Sequence, residues 1–110
     1  MKPFAKVIAD LSETIASRVG ADVGESWTAV LLANRKLAGK KLVEEAAETA
    51  LAAVSGDASP QIAAEAADLI YHLLVLLQAC NVSLDEVAEV LRARQGVSGL
   101  AEKASRPRGA

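Results

Sequence analysis

The chain has 110 residues, of which 52% are hydrophobic and 24% charged, and its formal net charge at pH 7 is −2. This length suits one domain with one modest core. The acidic balance disfavours nucleic-acid binding by a general basic surface, and a 3% aromatic content is too small for a base-stacking platform. Alanine and leucine are abundant, which favours helices over strands. These features predict a small all-α protein.

Localisation follows from two further observations. The single cysteine, Cys80, cannot form an internal disulfide, which is typical of a reducing compartment. The N-terminus lacks the apolar region of a signal peptide, and the most apolar run, residues 73–77, is far shorter than a membrane span. We therefore expect a cytoplasmic protein without a membrane partner.

Apolar residues at helical spacing predict three helices in the first half of the chain. They cover residues 3–19, 27–33 and 37–54. Ser26 is placed to cap the second of these helices, and residues 34–36 interrupt the apolar pattern and predict a turn. Gly20 and the Ser-Gly-Asp sequence at 55–57 are helix stops.

Two more helices are predicted in the second half. Ser59-Pro60 has the order of a cap followed by a proline in the first turn, and its helix extends to about Ala79. The helix is almost wholly apolar in its second half, which is typical of a central buried helix. Ser83 and Glu86 form a capping-box pattern, and the last helix ends before Gly96. Four or five helices joined by short loops predict a small bundle.

The chain divides into a helical domain, residues 1–96, and a basic C-terminal tail, residues 97–110. Lys103 and Arg106 in the tail are candidates to bind phosphate. A frayed, solvated terminus is the alternative interpretation of the same residues.

The placement of negative charge is the most informative feature of the sequence. Between positions 42 and 91 there are nine acidic residues and no lysine or arginine. Glu44, Glu45 and Glu48 cluster on one predicted helix, and Glu65 and Asp68 on the next. Spacings of three and four residues put like charges on one helix face, which costs roughly 0.2–0.5 kcal/mol per pair. A sequence selected only for helix stability would not contain these clusters.

Alanines flank both acidic clusters and predict a close approach of the two helices. They are Ala46, Ala47, Ala50, Ala63, Ala64, Ala66 and Ala67. Carboxylates that project into the gap between the helices would surround a hard cation, and an all-oxygen site suits Mg²⁺ or Mn²⁺. The alternative is a solvated acidic face on two amphipathic helices.

Three other residues have both a functional and a structural interpretation. His72 shares a helix face with Asp68, and it is either a contact of the carboxylates or of a substrate phosphate, or a core histidine. It follows Asp68 by four residues, so the Glu-x-x-His pattern of a di-iron centre is absent. Trp27 is assigned to core or rim packing and Cys80 to a buried, unreactive thiol.

At these residues the sequence resembles a known superfamily. Glu44-Glu45-x-x-Glu48 followed by Glu65-x-x-Asp68 is similar to the acidic motif of the all-α nucleotide pyrophosphohydrolases, which include the MazG proteins and the dimeric dUTPases. More narrowly, the chain resembles the phosphoribosyl-ATP pyrophosphohydrolase family of histidine biosynthesis. The segments that carry this likeness are Ser26-Trp27-Thr28, Lys40-Lys41, residues 65–75 and residues 99–106. It departs from the family at Val30, often a lysine, at Val43, often a glycine, and in a shortened turn over residues 34–39.

The resemblance implies a MazG-like bundle completed by dimerisation. It also implies Mg²⁺-dependent hydrolysis of 1-(5-phosphoribosyl)-ATP to 1-(5-phosphoribosyl)-AMP and pyrophosphate, the second step of histidine biosynthesis. Mn²⁺ is a possible substitute for Mg²⁺. The expected metal ligands are Glu45, Glu48, Glu65 and Asp68. Glu44 is either a further ligand or the base that orients the attacking water, so the expected catalytic residues are Glu44, Glu45 and Glu48. The expected substrate-binding residues are Lys41, His72, Lys103 and Arg106.

Two other functions remain open at this level. A house-cleaning pyrophosphohydrolase of (deoxy)nucleoside triphosphates would use the same acidic motif, and only the Ser-Trp-Thr segment and the tail favour phosphoribosyl-ATP. A non-catalytic helical oligomerisation module would use the acidic face to contact a basic partner. It would have no saturable Mg²⁺ site and would release no pyrophosphate.

Overall fold

The computed structural model describes residues 1–96 and 99–106, with side chains throughout except at residues 100–102. Over this range there are six helices and no strand, which confirms the predicted all-α class. The helices are α1 (Phe4–Ala16), α2 (Trp27–Ala33), α3 (Arg35–Val54), α4 (Ser59–Ala79), α5 (Leu84–Arg94) and α6 (Gly99–Ser105). The sixth helix lies in the segment predicted as a tail, of which residues 97–98 and 107–110 are outside the described residues.

The first helix is shorter than the apolar pattern predicted. α1 ends at Ala16, and the amides of Arg18 and Val19 donate to the carbonyls three residues earlier, at 3.0 and 3.2 Å. Such bonds tighten the chain into a turn. The turn leads to Gly20, whose φ of 76° is a conformation that a glycine adopts without steric cost.

α2 and α3 are separated by one residue. The Ser26 hydroxyl accepts a hydrogen bond from the Ala29 amide at 3.1 Å, which confirms the predicted cap of α2. Asn34 ends α2 and caps α3, because its side chain accepts from the Leu37 amide at 3.1 Å. The predicted turn over residues 34–36 is therefore wrong in extent, and α3 already begins at Arg35.

The predicted cap of α4 is also wrong. α4 begins at Ser59 itself, and the Ala58 carbonyl accepts the first bonds, from Gln61 at 3.0 Å and Ile62 at 3.2 Å. Pro60 is tolerated because the amides of a first helical turn have no partner within the helix. The other predicted end is confirmed, since α4 extends to Ala79.

The capping box of α5 is confirmed in both directions. The Glu86 amide donates to the Ser83 hydroxyl at 3.1 Å, and the Ser83 amide donates to the Glu86 carboxylate at 2.8 Å. None of the α5 residues is buried. The helix therefore depends on its cap and end charges more than on packing within one chain.

α4 is the central helix, and it packs against α1, α2 and α3. The pairing of α3 with α4 is the most extensive. The buried core comprises Ile15, Leu31, Ala38, Leu74 and Val75. Trp27 is 53% exposed and lies outside this core, so of the two predicted packing positions, core or rim, the core is wrong.

α4 is also long and apolar enough, by length and composition, to cross a membrane. This differs from the expectation based on residues 73–77 alone, because the earlier turns of the same helix add further alanines, leucine and isoleucines to that run. Core helices of other proteins meet the same criterion, and α4 carries two acidic residues, Glu65 and Asp68. Only 17% of its most apolar window is buried within one chain.

Candidate metal centre

Three of the predicted carboxylates meet at the contact of α3 and α4. Glu45 comes from α3, and Glu65 and Asp68 come from α4. One oxygen from each lies within 4.8 Å of the others. Opposite oxygen ligands of Mg²⁺ stand about 4.2 Å apart, twice the usual ligand distance. The separation of the three oxygens is therefore close to what a small divalent cation needs.

The register of α3 places Glu45 in this contact. Ala38, Glu45 and Ala52 are spaced by seven residues, two helical turns, and all three are buried. Glu45 is thus the acidic member of a buried line that faces α4. Sequence spacing identified Glu45 as a candidate ligand. It did not reveal that the small residues Ala38 and Ala52, two turns before and after Glu45, face α4 with it.

Six of the seven alanines predicted to line the helix contact are exposed, and only Ala66 is half-buried. The exposed members of that set are Ala46, Ala47, Ala50, Ala63, Ala64 and Ala67. The prediction was wrong because the buried line passes through Ala38 and Ala52, and the residues next to Glu45 point away from it. The small residues of α3 that are buried are therefore Ala38 and Ala52, which were not in the predicted set.

Unsatisfied polar atoms converge on the same place. Oε2 of Glu45, Oε2 of Glu65 and Nε2 of His72 are buried and have no hydrogen-bond partner in the part of the chain that the structure describes. Glu45 is only 8% exposed. Buried acceptors without donors are costly and rare in folded proteins. A cation at the centre of the carboxylates would satisfy the two glutamates, so the residues present fit a divalent metal.

The electrostatics agree with this geometry. Burial raises the pKa of Glu45, and the neighbouring Glu48 carboxylate raises it further, while His72 acts in the opposite direction. The pKa of Glu65 is likewise raised, first by desolvation and then by Glu48 and Asp68. Both shifts mean that burial and neighbouring carboxylates disfavour the charged form of these two glutamates in the chain alone.

Glu48, the fourth predicted ligand, lies at the edge of the cluster. It is exposed and does not belong to the group of three oxygens within 4.8 Å. Its carboxylate is nevertheless close enough to raise the pKa of both Glu45 and Glu65. The structure therefore brings Glu48 next to the site without completing the four-carboxylate set.

Glu44 and Lys41 form a pair beside the cluster. The Lys41 ammonium lies 3.1 Å from a Glu44 oxygen and 3.9 Å from Oε1 of Glu45. The hydrogen bond to Glu44 and the nearby negative charges raise the pKa of Lys41. The only cation paired with Glu45 among the described residues is thus the residue predicted to bind phosphate.

His72 is buried, with 7% of its surface exposed. Its Nδ1 is 2.8 Å from the Asp68 carbonyl oxygen, which can only accept, so Nδ1 carries the hydrogen and donates. Nε2 is then the buried, unpartnered atom. A phosphate contact, as predicted, would need access that this atom lacks.

The two predicted tail residues, Lys103 and Arg106, are exposed. Lys103 lies in α6, and Arg106 follows the end of that helix. Lys103 forms no ion pair with any carboxylate whose side chain the structure describes. Their predicted role at the site remains a prediction.

One contact near the site was not predicted. The Thr28 and Tyr71 hydroxyls are 2.5 Å apart and connect α2 to α4. The Tyr71 ring meets the His72 ring edge to face, with centroids 4.9 Å apart. Thr28 and Tyr71 both lie in segments that carry the family resemblance, and this was the only sequence signal that singled them out. Residue spacing gave no reason to pair them.

Comparison with known proteins identifies the family. A profile described as phosphoribosyl-ATP pyrophosphohydrolase matches residues 8–95. The chain belongs to this family. A relative from Caulobacter sp. (strain K31), named phosphoribosyl-ATP pyrophosphatase, is 52% identical over 97% of this chain and 99% of its own length. Relatives with the same name from Caulobacter vibrioides (strain NA1000 / CB15N) and Ruegeria sp. (strain TM1040) are 56% and 50% identical, each over 91% of this chain and over 92% and 95% of their own lengths.

Family membership confirms the resemblance stated from the sequence and the predicted class of enzyme, a hydrolase of a phosphoanhydride. The matched range contains all five clustered carboxylates, Lys41 and His72. The match to the family profile ends before α6, whereas the alignment to the Caulobacter sp. relative covers 107 residues.

Proposed function

We propose that this chain hydrolyses 1-(5-phosphoribosyl)-ATP to 1-(5-phosphoribosyl)-AMP and pyrophosphate, as the second step of histidine biosynthesis in the cytoplasm. The names of its relatives support the substrate. The observation that carries the chemistry is the group formed by Glu45, Glu65 and Asp68, in which two oxygens are buried without a partner. Such a group suits Mg²⁺, with Mn²⁺ as a substitute.

The chain's own residues have distinct parts in this reaction. Glu45, Glu65 and Asp68 would hold Mg²⁺, and Glu48 at the edge would join them. Bound Mg²⁺ supplies positive charge to the phosphoryl oxygens and lowers the pKa of a bound water. Glu44 is exposed enough to orient the attacking water.

Lys41 would bind a phosphate of the substrate. Its ammonium is already at the rim of the cluster, 3.1 Å from Glu44. The pair is only partly buried and therefore screened by solvent, so the lysine can exchange its carboxylate partner for a phosphate at modest cost. Lys103 and Arg106 are proposed to add phosphate contacts from the tail.

The test compares Asp68→Asn with Glu25→Gln, an exposed loop carboxylate outside the site. Pyrophosphate release from phosphoribosyl-ATP with Mg²⁺ should fall on the order of 100-fold or more in Asp68→Asn, the usual scale for losing a transition-state charge contact. It should be unchanged in Glu25→Gln. Circular dichroism should show the same helix content in both. Full activity of Asp68→Asn would remove that carboxylate from the metal site.

The same assay distinguishes the substrates. Phosphoribosyl-ATP should be strongly preferred over ATP and over deoxynucleoside triphosphates. If deoxynucleoside triphosphates are hydrolysed instead, the proposed metal site stands, but the enzyme is a house-cleaning pyrophosphohydrolase with a different substrate. Absence of pyrophosphate release from all of them would favour the non-catalytic module.

We also propose that the chain functions as a homodimer. Its accessible surface is 7859 Å² and its radius of gyration 16.0 Å. A compact monomer of 11.4 kDa would expose about 5,800 Å² and have a radius of gyration of about 13 Å. The excess surface of about 2,000 Å² exceeds the roughly 800 Å² that each partner buries in a standard interface.

The face that supports this dimer is on α3. Val43, Leu51 and Val54 are 69%, 62% and 81% exposed, and the exposed Ala47 and Ala50 lie between them. These positions form one apolar stripe along the helix. Sedimentation should give twice the chain mass at micromolar concentration. A folded monomer under those conditions would contradict the proposal.

A further inference from the structure

His72 offers an acceptor that neither the core nor the proposed metal ligands use. His72 is only 7% exposed, and its Nδ1–H donates to the Asp68 carbonyl at 2.8 Å. That bond fixes the tautomer and the ring orientation, as the outer hydrogen bond of a metal-site histidine commonly does. Nε2 is left with a lone pair, and no described residue donates to it.

The carboxylate cluster has unsatisfied acceptors as well. Glu45 and Glu65 each bury an oxygen without a partner, and His72 is bonded through Nδ1 to the backbone of Asp68, the third member of the cluster. Each buried acceptor without a donor is costly. A cation would satisfy the carboxylates but not Nε2, because His72 is absent from the group of mutually close ligand atoms. A donor that lies between the cation and the ring would satisfy Nε2, and a bound water has that property.

We propose that His72 is a positioning residue whose Nε2 accepts a hydrogen bond from a water held at the Glu45, Glu65 and Asp68 cluster. The imidazole, held in place by its bond to the Asp68 carbonyl, would orient that water. This inference rests on the proposed metal site, and it assigns His72 to the support of that site and not to a phosphate contact.

The two ring nitrogens can be tested separately. Asn at position 72 reproduces the Nδ1–H donor to Asp68 but does not reach the position of Nε2. Gln reaches that position with an acceptor oxygen but gives up the bond to Asp68. Tyr71→Phe is the matched control, since it removes the Thr28 hydroxyl bond from the adjacent residue and leaves the cluster untouched.

Mn²⁺ binding to the full chain, measured by the paramagnetic resonance signal of free Mn²⁺, is the primary readout. His72→Asn should bind Mn²⁺ about 10- to 100-fold more weakly, the usual effect of losing an outer partner of a metal site. His72→Gln and Tyr71→Phe should bind close to the wild-type affinity. Thermal unfolding of the metal-free variants provides the second readout, and His72→Asn should unfold at or near the wild-type temperature.

Each alternative outcome has a distinct meaning. If the wild type binds Mn²⁺ and His72→Asn binds it equally well, the positioning role is refuted and the metal site stands. If both His72 variants lose affinity together with thermal stability, His72 is a core residue and the inference is refuted. If the wild type binds no divalent cation, the proposed metal site fails and this inference fails with it.

Discussion

Glu45→Gln should make the metal-free chain more stable while it abolishes activity. Glu45 is buried against α4 with one oxygen unpartnered, and burial and Glu48 both raise its pKa. A carboxyl group whose pKa is higher in the folded state binds its proton more tightly there. Its contribution to stability is therefore full at low pH and is lost as pH rises above about 4.5 toward the folded pKa. Gln has no charge to desolvate, so it removes this loss at pH 7.

The magnitude follows from the surroundings of the two oxygens. An unsatisfied buried acceptor costs about 1–3 kcal/mol. The lower end applies, because Glu45 retains 8% exposure and its Oε1 lies 3.9 Å from the Lys41 ammonium, an attraction that Gln gives up. A gain of about 1 kcal/mol corresponds to a rise of about 4 °C in the midpoint of thermal unfolding for a chain of this size.

The assay is thermal unfolding at pH 7 and at pH 4, with a chelator and with excess Mg²⁺. Glu45→Gln should unfold about 4 °C above the wild type in chelator at pH 7, and the difference should vanish at pH 4. Mg²⁺ at about 100 times its dissociation constant should stabilise the wild type by about 2.7 kcal/mol and the variant much less. A lower unfolding temperature of the variant in chelator at pH 7 would refute the argument, since the carboxylate would then have a partner that stabilises it.

Two predictions concern other parts of the fold. Leu51→Glu puts a charge in the exposed stripe of α3 and should convert the dimer to a monomer in sedimentation, whereas Glu25→Gln should leave it dimeric; a dimeric Leu51→Glu would move the interface to another face. Ser83→Ala removes the hydroxyl that accepts from the Glu86 amide at 3.1 Å. It should lower the free energy of unfolding by about 1 kcal/mol in urea titrations, with pyrophosphate release unchanged; no change would show that α5 does not depend on its cap.

The sequence was sufficient for the parts of the fold that depend on local chemistry. Helix identity followed from apolar spacing, and the caps at Ser26 and Ser83 followed from side-chain hydrogen bonding. The predicted cap at Ser59 failed because a backbone carbonyl, that of Ala58, accepts the first bonds without any side-chain signal. The predicted length of α1 was wrong for a similar reason. The apolar spacing continues to residue 19, but backbone bonds to carbonyls three residues earlier form turns there and end the helix before Gly20.

The candidate site was predictable in composition but not in arrangement. Charge spacing selected Glu45, Glu65 and Asp68, which the structure brings together. Charge spacing gave equal weight to Glu48, which lies at the edge of the cluster. A spacing of three residues along α3 does not show which of two carboxylates lies at the centre of the contact with α4. That distinction requires the position of α4, which determines which α3 side chains are buried.

The two faces of α3 explain why function and assembly can be separated. Ala38, Glu45 and Ala52 follow one line toward α4, and Val43 and Val54 lie almost opposite at 100° per residue. A charge on the apolar stripe should therefore disrupt assembly without touching the carboxylates. Leu51→Glu should retain the Mn²⁺ affinity of the wild type even as a monomer, measured under dilute conditions by the signal of free Mn²⁺. If the monomeric variant binds Mn²⁺ more weakly, a second chain completes the metal site. Residues of that second chain would then contribute to balancing the negative charge around Glu45.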